Sequence, residues 1–157
     1  MTTCPVLSGL PHLITAIHLA EQAKTSLFFT VYRYRPARTG HPRDPKRYIA
    51  AVYNALERGV KVTAIIERGN GGDRRFVTNH RLALDLRRAG ATVIVPPRTR
   101  VVHAKVFVAD NFQLLITSGN LTLGSAVRNI EYGALIQDKK LATAARMEIT
   151  KKALAHG

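Results

Sequence analysis

The sequence predicts an α/β sandwich with a central mixed sheet and helices on its faces. Three observations predict it. Helical and strand-like patterns alternate along the chain, as expected where helices cover a largely parallel sheet. One strand pair, Val101–Ala109 and Phe112–Thr117, is separated only by Asp110-Asn111, a two-residue hairpin turn, so part of the sheet runs antiparallel. The chain has 157 residues, 46% of them hydrophobic, enough for one domain spanning residues 1–157 with a core of ordinary size.

Each element has its own justification. Pro11–Lys24 sets Leu13, Ile14, Ile17 and Ala20 or Glu21 on adjacent turns of a helix. His12 and His18 lie on or beside it and read as surface or cap histidines rather than ligands. Ser26–Tyr34 is a strand of β-branched and aromatic residues. Arg33–Arg47, with Pro36, Gly40, Pro42 and Pro45, is a loop by composition. Its charges suit either a solvated surface or a phosphate-contacting arm, with Tyr32 or Tyr34 available to stack on a base. Its place directly after a core strand favours the arm. A helix starting at Asp44 or Lys46 runs to Arg58 and stops at Gly59. Val60–Glu67 is a strand. Arg68–Arg75 is a glycine-rich basic loop without the Gly-Lys-Ser/Thr ending of a phosphate loop. Val77–Ala89 is a helix ending at Gly90, and Ala91–Val95 is a short strand closed by Pro96-Pro97. After the hairpin, Leu121–Val127 is a short helix or turn and Glu131–Ile136 a further strand. Asp138–His156 is a helix with Asp138 as its N-cap. No internal repeat is evident.

Charge narrows the choice of partner. Lys plus Arg number 24 against 10 Asp plus Glu, a formal net charge of +14. Such a chain attracts polyanions, nucleic acid above all and anionic membranes second. No apolar run approaches the roughly 18–20 residues of a membrane-spanning helix. The N-terminus lacks a basic residue before its apolar part and a clear small-residue cleavage site, so no secretory signal is expected. A single cysteine, Cys4, precludes an intrachain disulfide and a cysteine-based metal cluster, and suits a cytoplasmic protein.

The chemistry is concentrated in one window. His103, Lys105, Asp110, Ser118, Asn120 and Glu131 fall within 29 residues. Alternation on the strand Val101–Ala109 puts His103, Lys105 and Phe107 on one face and Val102, Ala104, Val106 and Val108 on the other. A histidine and a lysine side by side on an otherwise apolar strand are costly without a role. A histidine serves as nucleophile or general acid/base, and a lysine as a point charge for an oxyanion. Ser and Asn donate to the same anion, and a buried glutamate orients an imidazole. No second histidine or carboxylate stands at metal-ligand spacing to His103. The residues alone therefore point to a metal-independent site for a phosphate ester, with no cofactor.

The pattern His103-x-Lys105-x4-Asp110, then Thr117-Ser118-x-Asn120 and finally Glu131, resembles the HKD motif of the phospholipase D superfamily. It is most similar to the short bacterial phospholipase D-like endonucleases that carry one copy of the motif. The usual Gly-Ser-x-Asn is here Thr-Ser-Gly-Asn, a departure at Thr117. The stretches ALERGVKVTAII and VHAKVFVAD also fit, so the likeness covers most of the chain. The resemblance implies a phospholipase D-like α/β sandwich and a two-step displacement at phosphorus. One histidine forms a phosphohistidine, while a second protonates the leaving oxygen and then deprotonates water. In-line displacement puts attack and departure on opposite sides of phosphorus, so one imidazole does not easily serve both. With one motif per chain, the implied assembly is a homodimer through the HKD face, with two copies of His103 facing each other across the twofold axis. Lys105 and Asn120 would grip the phosphate, Ser118 add a hydrogen bond and Glu131 orient a His103. Asp110 either shapes the turn or takes a direct part.

The expected function is a metal-independent phosphodiesterase, a non-specific endonuclease acting on DNA or RNA. Arg33, Arg35, Arg38, Arg68, Arg74 and Arg75 are the candidate backbone contacts, and no membrane partner is expected. Competing readings are a phospholipase or cardiolipin-type lipid hydrolase, and a nucleic-acid-binding module with a vestigial HKD site.

Overall fold

A computed structural model describes residues 6–8, 11–37, 40–69, 73 and 76–155. The elements in chain order are β1 (Val6–Ser8), α1 (Pro11–Gln22), β2 (Ser26–Val31), β3 (Tyr34–Arg35), α2 (Lys46–Glu57), β4 (Lys61–Ile66) and α3 (Val77–Arg88). They continue with β5 (Thr92–Ile94), β6 (Val106–Ala109), β7 (Gln113–Thr117), β8 (Leu121–Thr122), α4 (Leu123–Val127), β9 (Tyr132–Gln137) and α5 (Lys139–Leu154). Seven strands form one mixed sheet in the order β1-β9-β7-β6-β2-β4-β5, and β3 pairs with β8 in a separate two-stranded sheet. The α/β prediction is therefore met, with both kinds of pairing. β2, β4 and β5 run parallel, while β6, β7, β9 and β1 pair antiparallel.

Strand alternation divides the core in two. Leu27, Phe29, Val31, Val62, Ala64, Ile66, Phe107 and Leu115 face α1, α2 and α3. Phe28, Ile65, Val106, Val108 and Leu114 face α5. Tyr48 of α2 stands edge-on between Phe29 and Phe107, each ring centroid 5.2 Å away. Edge-to-face pairs of this kind contribute about 0.5–1.5 kcal/mol each beyond the apolar area they bury. Glycines after α2 and α3 end these helices as expected: Gly59 (φ 82°) and Gly90 (φ 96°) both adopt the left-handed conformation. Asp138 accepts from Leu141 N and caps α5.

Topology brings one edge of the sheet together. β2 and β4 end there, β6 starts there because it runs against β2, and β7 ends and β9 starts there in turn. Crevices outside the carboxyl ends of parallel strands are where open α/β sheets bind ligands.

Several expectations are corrected at this edge. The strand foreseen as Val101–Ala109 pairs only from Val106. Thr30 is the cause. Its hydroxyl donates to Ala104 O (2.7 Å) and accepts from Val106 N (3.0 Å), taking the place of ladder bonds. Glu67 holds the segment further upstream, accepting from Val102 N at 2.8 Å. The foreseen alternation persists without the ladder, since Val102 and Ala104 join the cluster of Val106 and Val108. The strand foreseen as Ser26–Tyr34 breaks after Val31. Buried Asn79 of α3 accepts from Tyr34 N and donates to Tyr32 O and Glu67 O, so a side chain turns the chain at the ends of β2 and β4. Tyr34 is consequently buried and cannot stack on a base, whereas Tyr32 remains half-exposed. His12 is also buried, not a surface histidine. β1 and the β3–β8 pair were not foreseen. Among the described residues, no helix is long and apolar enough to cross a membrane.

Candidate active site

The candidate site is built from two limbs. The first is the extended segment Val102–Lys105 leading into β6. His103 is exposed, and its ring packs on Tyr32 with centroids 4.2 Å apart. Phe76 backs Tyr32 at 5.7 Å. Lys105 is buried, with Nζ 3.1 Å from Nδ1 and 3.2 Å from Nε2 of His103. Such nearly equal distances put the ammonium over the imidazole face rather than in line with either ring lone pair. Nζ also donates to His103 O at 2.7 Å and lies 4.9 Å from the Tyr32 ring centroid. Burial draws the Lys105 ammonium below its ordinary range, and the charge of Glu131 partly restores it. Lys105 thus senses the second limb.

The second limb joins the end of β7 to the start of β9. Ser118 Oγ donates to Glu131 Oε2 at 2.5 Å, Asn129 Nδ2 donates to Oε1 at 3.0 Å, and Tyr132 N donates to Ser118 Oγ at 3.1 Å. Burial acts to raise the Glu131 carboxyl. Hydrogen bonds from Ser118, Asn129 and Ser125, with the charge of His12, outweigh it and hold the group below the usual carboxylate range. Ser125 Oγ also accepts from Asn120 N at 3.1 Å. The side-chain oxygen of Asn120 is buried and has no partner among the described residues.

Thr117, the departure from the usual glycine, is accommodated locally. Its hydroxyl donates to Tyr132 O and accepts from Gly119 N. Its register partner is Gly133, where a Cβ would come within 3.2 Å of Thr117 Cβ and 2.9 Å of Ile116 O. Gly133 thus leaves the room that the Thr117 side chain occupies.

His103, Lys105, Ser118, Asn120 and Glu131 are therefore gathered at one sheet edge. Asp110 is not among them. It sits in the turn at the far end of β6, roughly 20 Å away at about 3.3 Å per extended residue. Its carboxylate accepts from the N–H groups of Lys24, Thr25 and Ser26 and from the Thr25 hydroxyl. Burial acts to raise its pKa, but these hydrogen bonds lower it below the ordinary range. Asp110 and Asn111 have φ of 53° and 52°, and Phe112 N donates to Ala109 O across the turn; because Ala109 pairs with Gln113, the connection has three residues, Asp110–Phe112, rather than the two foreseen. Of the two open readings, turn-shaping is the one this geometry supports.

Of the arginine candidates, Arg33 and Arg35 line one cavity beside the site. Arg68 lines a separate one with Glu67, Asn79 and Arg87. Arg38, Arg74 and Arg75 lie outside the described residues. Sequence reasoning missed Thr30, Glu67 and Asn79, which shape the His103 limb, and His12, which lies under the Ser118-Gly119 turn. A Cβ on Gly119 would overlap the His12 imidazole. The signal for Glu67 was present: a carboxylate closing the apolar strand Val-Thr-Ala-Ile-Ile.

Comparison with known proteins agrees with this geometry. Residues 16–152 match the family model described as cardiolipin synthase, PLD-like domain. A phospholipase D of Rickettsia conorii is 33% identical over 92 residues, covering 59% of this chain and 44% of that protein. The match thus spans less than half the length of that relative. The crystal structure of a phospholipase D family member, Nuc from Salmonella typhimurium, superposes with a TM-score of 0.75 at 20% identity, covering 97% of this chain and 94% of that one. NucT from Helicobacter pylori gives 0.72 at 16% identity, covering 97% and 96%.

Proposed function

The chain belongs to the phospholipase D superfamily of phosphodiesterases, and on that premise we propose that it is a nuclease cleaving phosphodiester bonds of nucleic acid without a metal. The observation that carries this reading is the meeting of His103, Lys105, Ser118, Asn120 and Glu131 at one sheet edge, beside a cavity lined by Arg33, Arg35, Lys46 and Arg128 and, among the described residues, by no carboxylate. A net charge of +14 favours a polyanion, bound by neutralising its phosphates and releasing counterions.

In the proposed reaction, His103 attacks phosphorus, forming a P–N bond as the P–O bond to the leaving group breaks. The His103 of a second copy gives that oxygen its proton, then takes one from water as the P–N bond breaks. Lys105 and Asn120 hold the non-bridging oxygens, with Ser118 assisting. Glu131 orients a His103. Within one chain its hydrogen bonds run to Ser118, Asn129 and Ser125, and a lone pair beside these bonds would serve the partner's ring. A dimer through this face has further support. Ile130 (87% exposed) and Tyr132 (59%) flank Glu131, and Val101 precedes the His103 limb at 66% exposure. Exposed apolar residues gathered around a site suit an interface that would cover them.

The test is cleavage of DNA and RNA by purified protein in EDTA. Activity is expected to persist in the chelator and to vanish in His103→Ala. Strict dependence on added metal, or cleavage by the variant, overturns the mechanism. A second reading, phospholipid head-group hydrolysis, is favoured by the names of the family model and of the Rickettsia relatives. Head-group release from liposomes, run beside the nuclease assay, separates the two. Salt-sensitive binding with no turnover of either substrate would instead mark a binding module.

A further inference from the structure

Two adjoining cavities beside the candidate site differ in chemistry. The first, about 810 Å³, is lined by Arg33, Arg35, Lys46 and Arg128. Pairing of β3 with β8 sets Tyr34 opposite Leu121 and Arg35 opposite Thr122. The first two are buried, so alternation turns Arg35 and Thr122 the other way, into this cavity. Arg33 Nε is buried and has no hydrogen-bond partner among the described residues. Asn129, the donor to Glu131, lines the same cavity and ties it to the candidate site.

The second cavity, about 360 Å³, shares Pro36, Lys46 and Thr78 with the first. Its walls are different. Tyr34, Ile49 and Leu82 are buried beneath it, Tyr53 forms one side, and Arg81 and Asp85 supply polar groups. This volume lies within the range of small-ligand pockets and admits one nucleobase. A cationic cavity opening into an aromatic and aliphatic one matches the chemistry of a phosphate followed by a base, because strands are held through backbone charge and bases stacked on aromatic rings.

We propose that the two cavities together form a subsite for one unpaired nucleotide flanking the scissile diester: phosphate against Arg35, Lys46 and Arg128, base against the Tyr53 ring, over a floor that includes Ile49 and Leu82. The chain is thereby selective for single strands, since a duplex would have to unstack a base to fill the second cavity. This rests on the nucleic-acid reading above and adds strandedness to it.

Binding is measured by fluorescence anisotropy on the full chain carrying His103→Ala, with three probes: a short single strand, an abasic strand of equal length, and a blunt duplex. The base-bearing single strand is expected to bind about tenfold tighter than either of the others. Ala50→Trp fills the second cavity from an exposed position and should abolish that preference while leaving abasic binding intact; Tyr53→Ala provides the same test from the wall. Arg35→Ala and Arg128→Ala should weaken every probe and each reduce the salt slope by about 0.7 for a single strand. Equal binding of abasic and base-bearing strands, equal binding of duplex, or equal loss on both strands in Ala50→Trp overturns the subsite. So does displacement of the strand by anionic phospholipid vesicles from the Ala50 chain but not from Ala50→Trp, which would give the second cavity to an acyl chain. Hydrolysis of bis(p-nitrophenyl) phosphate by wild-type protein in EDTA reads the reaction separately. Base-dependent binding without that hydrolysis supports the subsite and overturns the enzyme, and hydrolysis with base-independent binding does the reverse.

Discussion

The two limbs of the candidate site are held by opposite means. Ser118, Asn129, Ser125 and Glu131 form a closed network in which both carboxylate oxygens are already occupied. The His103 limb has an exposed ring whose contacts are Tyr32 and Lys105, on a backbone that has left the sheet and hangs on Thr30 and Glu67. One limb is satisfied within the chain, and the other presents its reactive group outward. Such an asymmetry suits a site of which each chain supplies half. In the proposed dimer the satisfied limb would give a fixed electrostatic setting, and the open limb would meet substrate and a second copy. Preorganised charge of that kind costs no rearrangement when charge develops in the reaction.

Changes to either limb should separate these roles. The largest effect is expected for His103→Ala, with diester hydrolysis falling about 10⁴-fold or more, as for loss of a nucleophile. Because His103 is exposed, the thermal midpoint should stay put; a large drop would make the ring structural. Next comes Glu131→Gln, which keeps the shape but removes the charge that Lys105 senses. Turnover should fall about 10–100-fold, in line with loss of a residue supporting a reacting group. The buried network should also lose roughly 1–3 kcal/mol in urea unfolding. Unchanged turnover would show that the closed limb is only a strut.

Thr30→Val tests the tether of the open limb. It conserves volume and leaves Ala104 O and Val106 N without the hydroxyl, at a cost of about 1–3 kcal/mol for each buried group left unsatisfied. Turnover per folded molecule should fall with it, since His103 loses its anchored backbone. The smallest effect belongs to Asp110→Asn, outside both limbs. Turnover should be unchanged. The wild-type carboxyl has a folded-state pKa below its unfolded value, so its contribution is present above the unfolded pKa and lost as pH falls towards the folded one. The variant should therefore show a shallower loss of stability below about pH 4, the unfolded reference value.

Legibility in the sequence followed the reach of the forces involved. α2, α3 and α5 were readable because periodicity, Gly59, Gly90 and the Asp138 cap all act within a few residues. The residues of both limbs were readable from motif spacing, since the β6–β7 hairpin fixes their separation locally. The end of β6 was not, because Thr30 replaces ladder bonds from 76 residues away in sequence while hydrophobic alternation continues unaltered. The two-residue strands β3 and β8 are too short to carry a period. The burial of Tyr34 and His12 is likewise tertiary: one is turned in by Asn79, and the other covered by the Ser118-Gly119 turn.

The central claim is that two copies of His103 act on one phosphate. Chains of wild type and His103→Ala, unfolded and refolded together in equal amounts, test it through residual hydrolysis in EDTA. If each site needs both rings, only dimers with two wild-type chains turn over, and about a quarter of the wild-type rate remains. A residual rate of about half, proportional to the wild-type chains present, would mean that each chain works alone and would contradict the account.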